Sequence, residues 1–291
     1  MDLAMAERVV SLSRRHSAFR GGKMAIFAND LIGAYINQFG VYEKEELDIL
    51  MEFLAPLHDT FRQGTCLDIG ANIGNHSLFF ARYFSRIEAF EPNPATYQLL
   101  SFNVGRVVNI FPHPVGLGAE GGSFHMREDP GNLGGSRIDE QDTSGSIDIQ
   151  VERLDDIGLD LSALCFIKMD VEGFEASVIK GGVRTIETHH PLIVLEQHES
   201  EFADGSTESI ALLERMGYRF CWHCAGSRAR NLILRRLHNV RELFAGRTHQ
   251  ILTGQKVPKQ NHPMLIAAPE RYWKALRLPF AASATSSATS R

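Results

Sequence analysis

The chain has 291 residues, of which 44% are hydrophobic and 22% charged, with a formal net charge of −5. These values accommodate one large α/β domain with additions, and they exclude both a disordered chain and the basic surface of a dedicated nucleic-acid binder. The four cysteines (Cys66, Cys165, Cys221, Cys224) lack disulfide-framework spacing, no apolar run is long enough to span a bilayer, and residues 1–20 lack the apolar segment of a secretory signal. The expectation is therefore a reduced, cytoplasmic protein.

Residues 1–60 read as a helical extension. Its clearest helix runs from Glu43 to Leu57: Leu47, Leu50, Met51 and Leu54 recur at helical spacing, and Glu43, Glu45 and Glu46 occupy the first turn, where the helix dipole favours anions. Strands then alternate with helices through a domain expected to span 61–270. Thr65–Ile69 reads as a short buried strand, followed by Gly70-Ala71-Asn72-Ile73-Gly74 and an apolar helix from Ser77 to Phe84. Arg86–Phe90 is the second strand and ends at Glu91-Pro92; Asn93 and Pro94 then supply an N-cap and a first helical residue. Asn109–Phe111 is the third strand, and a polar, Gly-rich, hairpin-like stretch extends from Gly116 to Val151. Leu164–Met169 and Leu192–Leu195 are the fourth and fifth strands, with a helix between them that ends at Gly181-Gly182. A helix Ser209–Met216 and strands Tyr218–Trp222 and Met264–Ala267 complete the set. Seven strands, the middle ones almost continuously apolar, imply an α/β fold with a doubly wound, mostly parallel seven-stranded sheet covered on both faces.

In such a sheet a ligand binds beyond the carboxyl ends of the strands, at the switch point, so the first strand-to-helix turn is where a site is expected. Gly70 and Gly74 let the backbone turn sharply there, and Asp68 sits at the strand end, able to orient the loop and meet a cation. Glu91, twenty-three residues beyond Asp68, ends the second strand, where a carboxylate accepts hydrogen bonds from vicinal ribose hydroxyls. The loop reads D-x-G-x-x-x-G, with Asn72 where a middle glycine is common; it is not the G-x-G-x-x-G of a dinucleotide site. It suits a nucleoside with an amino-acid tail and no pyrophosphate, which favours S-adenosylmethionine over NAD. A nicotinamide-dependent oxidoreductase and a non-catalytic binding module are the rivals.

Two further pairs of polar residues end neighbouring strands. Asp170 and Glu172 follow the fourth strand, and Glu196 and His198 follow the fifth. With the chain still extended, the members of each pair project to one side. An alcohol acceptor needs a general base or a metal that lowers its pKa. Asp170 or Glu172 is the expected base, His198 the next choice. Asp170 and Glu196 are candidate ligands for Mg²⁺ or Mn²⁺. The structural alternative has Glu172 starting the next helix and Glu196 pairing with Lys168.

Together these segments resemble the FkbM family of methyltransferases. The resemblance rests on Cys66-Leu-Asp-Ile-Gly-Ala-Asn-Ile-Gly-Asn-His-Ser77, Glu88-Ala-Phe-Glu-Pro-Asn-Pro94 and Phe166-Ile-Lys-Met-Asp-Val-Glu-Gly-Phe-Glu175, with Gly40-Val-Tyr-Glu43 and Met264-Leu-Ile-Ala-Ala-Pro269 at the flanks. It implies the class I, Rossmann-like methyltransferase fold and O-methylation, often of sugar hydroxyls on glycans or lipid-linked saccharides, or of polyketide and other secondary-metabolite hydroxyls. By position it implies that Asp68, Gly70, Asn72, Gly74 and Glu91 contact the cofactor and that Asp170 and Glu172 face the acceptor.

Three other features draw less weight. Cys221-Trp222-His223-Cys224 is a single C-x-x-C, better explained by strand alternation than by zinc. Residues 228–260 read as a basic insertion or cap: from Arg228 to Lys259 there are eight Lys/Arg and one acid, Glu242. Leu232, Leu234, Leu237, Val240, Leu243 and Phe244 would give it an apolar helix face. It is either a solvated helix packed on the core or a cap that meets an anionic acceptor or an anionic membrane surface. Pro130–Ser136 reads as a turn or a loop over the site, and the tail 271–291 as partly disordered. The expected partner is a small-molecule or glycan acceptor, not nucleic acid, and no pattern fixes an oligomeric state.

Overall fold

The computed structural model describes residues 3–19, 22–28, 30–127, 137–138, 146–225, 249–254 and 256–278. Four helices come first: α1 (Leu3–Phe19), α2 (Leu31–Phe39), α3 (Lys44–Phe53) and the single turn α4 (His58–Phe61). The helix expected over Glu43–Leu57 stops at Leu54 and continues as a 3₁₀ turn, Ala55–Leu57. Pro56 is the cause, because it has no N–H and disfavours helical backbone at the residue before it.

The α/β core follows as β1 (Thr65–Ile69), α5 (Asn75–Phe80), β2 (Arg86–Phe90), α6 (Pro94–Val104) and β3 (Ile110–His113). Asn93 caps α6 as expected, accepting the N–H groups of Ala95 and Thr96. The Gly116–Val151 stretch is more than a hairpin. It forms a second sheet of four strands, β4 (Gly116–Leu117), β5 (Gly122–Arg127), β6 (Arg137–Ile138) and β7 (Ile147–Glu152), in the order β4-β7-β5-β6. The core resumes with β8 (Leu164–Met169), α7 (Glu175–Gly181), α8 (Val183–His189), β9 (Leu192–Gln197), α9 (Glu208–Arg215), β10 (Arg219–Ala225), β11 (His249–Thr253) and β12 (His262–Ala268). Gly182 does cap α7, and α8 starts directly after it.

The main sheet runs β11-β10-β12-β9-β8-β1-β2-β3. Strands β9, β8, β1, β2 and β3 pair in parallel, and β12, β10 and β11 add antiparallel at one edge. The sheet thus has eight strands where seven were expected. The extra one, β11, falls within the segment read as a basic insertion, and a five-residue strand with only Ile251 and Leu252 apolar leaves little periodic signal. The remainder of that segment between 226 and 248, the Pro130–Ser136 loop and the residues beyond 278 lie outside the described residues. The C-x-x-C lies on β10 and Cys221 is fully buried in the core, in line with strand alternation. Among the described residues no helix is long and apolar enough to cross a membrane.

Helices cover both faces, so β1 and β8 are buried along their whole length. On one face Phe61, Phe80 and Phe84 converge on Phe166 of β8, with ring centroids 5.1–5.7 Å from it. On the other, Val178, Ile179, Ile186, Ile210 and Leu213 from α7–α9 pack on Leu67, Ile167 and Ile193. From β1 the chain steps outward to β2 and β3, then returns to lay β8 and β9 on the other side. This opens a crevice over the carboxyl end of β1.

Close backbone approach defines that crevice. Gly70 has φ +77°, and a Cβ added there would stand 1.9 Å from the Asp170 carbonyl oxygen. Gly70→Ala is therefore expected to lower stability by more than about 2 kcal/mol in urea unfolding, because strained backbone and a clash with main chain add together. An unchanged unfolding midpoint would show that the two turns separate without cost.

Candidate functional site

A cavity of about 440 Å³ occupies the crevice. The ends of four neighbouring strands deliver its polar groups in spatial order: Glu91 after β2, Gly70–Asn72 after β1, Asp170 and Glu172 after β8, Glu196 and His198 at β9. Three strand spacings separate the ends of this row, roughly 14–15 Å.

At the β2 end, Glu91 is 7% exposed. Its Oε2 accepts the Asn72 N–H at 3.0 Å and its Oε1 the Asn93 N–H at 2.9 Å. Burial pushes its pKa up to about 7, although the two amides pull the other way. Asn72 is itself left-handed, φ 49°, with its own side chain accepting the Ile73 N–H. Apolar residues stand beside Glu91: Phe90, Pro92, Leu117, Met126 and Ile138, the last three supplied by the second sheet or its approach. This end can hold a flat ring with an adjoining diol.

The middle of the row rests on Lys168, which is 7% exposed. Its ammonium lies 3.5 Å from Asp68 and 3.2 Å from Asp170 and donates to the Gly70 carbonyl at 3.4 Å. Burial by itself would depress this lysine, but Asp170, Asp68 and Glu43 outweigh it and its pKa stands above the ordinary value. Lys168 does not pair with Glu196, the structural alternative considered from sequence. Asp68, with no exposure, also accepts the Ser77 hydroxyl at 2.5 Å. It meets a cation as expected, but that cation is internal, and Asp68 does not line the cavity. Gly74 does not line it either. It caps α5, and a Cβ there would meet Leu100 at 2.9 Å. Both positions were expected to contact the cofactor, and both instead hold the loop that does line the cavity.

At the β9 end four carboxyl groups converge: Glu43, Asp170, Glu172 and Glu196. Asp170 and Glu196 hydrogen-bond to each other. Burial disfavours the Asp170 anion, yet Lys168 outweighs burial and holds its pKa low. Burial and the adjacent Asp170 charge push Glu196 far up, so Glu196 carries the proton of the pair. Glu172 differs from the expected extended geometry. Its φ is 51°, and Gly173 follows at φ 92°; this left-handed pair turns the Glu172 carboxylate toward β9, 3.4 Å from His198 Nε2. Glu172 does not open a helix, since α7 begins at Glu175. The Glu201 backbone N–H donates to the His198 carbonyl at 3.1 Å. The ring's Nε2 faces Glu172 and, at 3.8 Å, Glu196.

The ligand-type group therefore differs from the Asp170–Glu196 pair expected from sequence. Atoms of Glu172, Glu196 and His198 lie within 4.8 Å of one another, while Asp170 is engaged by Lys168.

The sequence reading missed the roof. Tyr42 and Glu43 reach the cavity from the turn between α2 and α3. Asn75 holds that turn through both its amide atoms, 3.0 Å from the Tyr42 N–H and 3.0 Å from the Tyr42 carbonyl, and His76 lies 3.2 Å from Glu43. Their signal was visible in the Gly40-Val-Tyr-Glu43 and Asn75-His76 segments, but nothing in the spacing says that the two meet.

Residues 68–220 match the sequence profile of the methyltransferase FkbM domain. Over 130 residues the chain is 29% identical to the hexuronic acid methyltransferase AglP of Haloferax volcanii, covering 44% of this chain and 53% of that protein. The chain thus spans about half the length of this curated relative. Among solved structures, Methyltransferase FkbM from Methylobacillus flagellatus KT aligns at 20% identity over 75% of this chain and 56% of that one, with a TM-score of 0.37. The N-methyltransferase NodS from Bradyrhizobium japonicum WM9 aligns at 9% identity over 79% and 100%, with a TM-score of 0.39. A profile match over more than half of the chain settles its kinship: the protein belongs to the FkbM methyltransferase family.

Proposed function

We propose that the enzyme uses S-adenosylmethionine to methylate a hydroxyl of a sugar, in a glycan or lipid-linked saccharide. The observation that carries this reading is the row of strand-end groups in one cavity, with a buried carboxylate and apolar slot at one end and a cluster of proton-handling groups about three strands away. A nucleoside with an amino-acid tail fits the first part. Glu91 keeps a second lone pair on each oxygen for the ribose diol, the apolar slot accepts the adenine, and Gly70–Asn72 lets the backbone lie against the remainder. When bound there, this cofactor supplies an electrophilic methyl group on sulfonium. The chain's part is to hold the acceptor oxygen in line and to remove its proton.

Glu172 fits the base role. Of the four carboxyls at that end, Asp170 is neutralised by Lys168, Glu196 holds a proton and Glu43 is turned to His76. His198 Nε2 lies 3.4 Å from Glu172 and orients it. Asp170 and Glu196 then serve to hold the wall of the acceptor pocket. A second reading has a divalent ion, Mg²⁺ or Mn²⁺, on Glu172, Glu196 and His198, which the 4.8 Å cluster supports. Binding would displace the proton on Glu196, so affinity would rise with pH.

An acceptor with a carboxylate, as in a uronic acid, fits the surroundings. The acidic end offers it no free cation, but an open cleft sharing His198 with the cavity carries Lys259 beside Ser200 and Asn261. Lys259 is exposed and forms no ion pair among the described residues. The name of the Haloferax relative points to the same class of sugar. A neutral polyketide or other secondary-metabolite hydroxyl is the alternative acceptor.

Calorimetric titration is expected to show saturable binding of S-adenosylmethionine and S-adenosylhomocysteine, no binding of NAD, and loss of affinity in Glu91→Ala. Binding of NAD alone would overturn the cofactor assignment. The diol needs the ionised form of Glu91, so affinity should tighten as pH rises through about 7 and stay flat in Glu91→Gln. Equal pH profiles would remove Glu91 from that role. Glu172→Gln should lower kcat by about 10²–10⁴-fold with cofactor affinity retained; if chelation by EDTA abolishes turnover in the wild type, the metal reading replaces the simple base. Lys259→Ala should raise KM for a glucuronide by roughly tenfold and leave KM for the matching glucoside unchanged. Equal effects on both would assign Lys259 no part in reading charge.

A further inference from the structure

Two carboxylates lie just behind the acceptor end and do not line the cavity. Glu175, the first residue of α7, is 1% exposed, and its Oε1 accepts the Val171 N–H at 3.0 Å. Glu201 follows β9 and its Oε1 accepts the His198 N–H at 2.7 Å, while its own N–H donates to the His198 carbonyl at 3.1 Å. Its Oε2 accepts from Gln197 Nε2 at 3.3 Å, and Gln197 is fully buried and bonded to Thr207. Each carboxylate thus grips the backbone at the root of one turn.

The turns need such anchors. Glu172 is a non-glycine residue in the left-handed region, a conformation that costs on the order of 1 kcal/mol and persists only where its surroundings hold it. The Glu175–Val171 hydrogen bond spans Glu172 and Gly173 and closes the turn that aims Glu172 at β9. On the facing strand, the reciprocal Glu201–His198 bonds fix the backbone from which the ring reaches Glu172. The 3.4 Å separation of the Glu172 carboxylate and the His198 ring is therefore set from both sides by carboxylates that grip the backbone.

Resting on the reading of Glu172 as the acceptor-side base, we propose that Glu175 and Glu201 are positioning residues that hold Glu172 and His198 in register for proton removal. What the position requires is an acceptor oxygen rather than a charge. Burial already pushes the Glu175 carboxyl up to about 7, with Glu201 and Asp170 adding to the rise and the backbone amides of Val171 and Glu175 opposing it. An amide side chain supplies the same oxygen.

The test uses the full chain with Glu175→Gln, Glu175→Leu, Glu201→Gln and Glu201→Ala. Steady-state kinetics, S-adenosylhomocysteine affinity, thermal unfolding and the imidazole NMR resonances of His198 are read for each, with Glu172→Gln as the spectroscopic reference. Expected are a fall in kcat of about 10–100-fold in Glu175→Leu and Glu201→Ala, with cofactor affinity within about twofold, and near-complete rescue in the two Gln variants. The His198 resonances should move in Leu and Ala variants in the direction seen for Glu172→Gln, and stay in place in the Gln variants. Glu201 is partly exposed, so Glu201→Ala provides the answer if Glu175→Leu fails to fold. Unmoved His198 resonances in Glu201→Ala, or Gln variants as impaired as Leu and Ala, would overturn the proposal. The resonances need no acceptor, so they report on positioning even if no sugar proves to be a substrate.

Discussion

The Lys168 ammonium is the point on which the site depends. It is buried at the junction of the two central strands and touches Asp68 of β1, Asp170 after β8 and the Gly70 carbonyl. A buried cation without partners would be expensive, and so would a buried Asp68 without Lys168. Each therefore confines the other. Because the three partners lie on β1, on the turn after it and on the turn after β8, satisfying one charge fixes the spacing of both turns. Gly70 then has to be glycine, because the turn it forms sits against the Asp170 carbonyl.

From that anchor the protonation pattern of the acceptor end follows. Four carboxyls share a small volume with one committed lysine and two histidines, His76 facing Glu43 and His198 facing Glu172. They cannot all be ionised. Lys168 keeps Asp170 charged, and Asp170 in turn keeps Glu196 protonated. Glu172, on a turn of its own and 3.4 Å from His198 Nε2, is the group we propose as the base. The same crowding would let a divalent ion replace the missing protons. Base and metal readings are thus two ways of balancing one charge cluster.

The helices before β1 take part in this arrangement. Tyr42 and Glu43 close the cavity from above, and Asn75 at the start of α5 fixes them by hydrogen bonds to both backbone groups of Tyr42. The first helix of the core therefore holds two things at once: through its N-cap it seats the glycine loop, and through Asn75 and His76 it seats the roof. The small sheet β4–β7 does the corresponding work at the other end, lending apolar side chains to the slot beside Glu91.

The sequence by itself determined the succession of strands and helices, because β1, β8 and β9 are predominantly apolar and Asn93-Pro94 marks its own helix start. It also determined which strand ends carry polar groups, since Glu91, Asp170 and Glu196 come where an apolar run ends, with Glu172 and His198 two residues beyond. It did not determine the eighth strand, whose five residues carry no clear period, or the second sheet, whose strands are two to six residues long. Nor could it assign roles among the acids. Asp68 and Asp170 look like ligand contacts in the sequence, and only the fold shows Lys168 between them. Glu172 looks like the second residue of an extended pair, and only a left-handed turn held by Glu175 brings it to His198. Local pattern records which residues prefer a strand or a cap, whereas the partner of a buried charge is set by packing between segments distant in the chain, as Asp68 and Lys168 are, which local pattern does not carry.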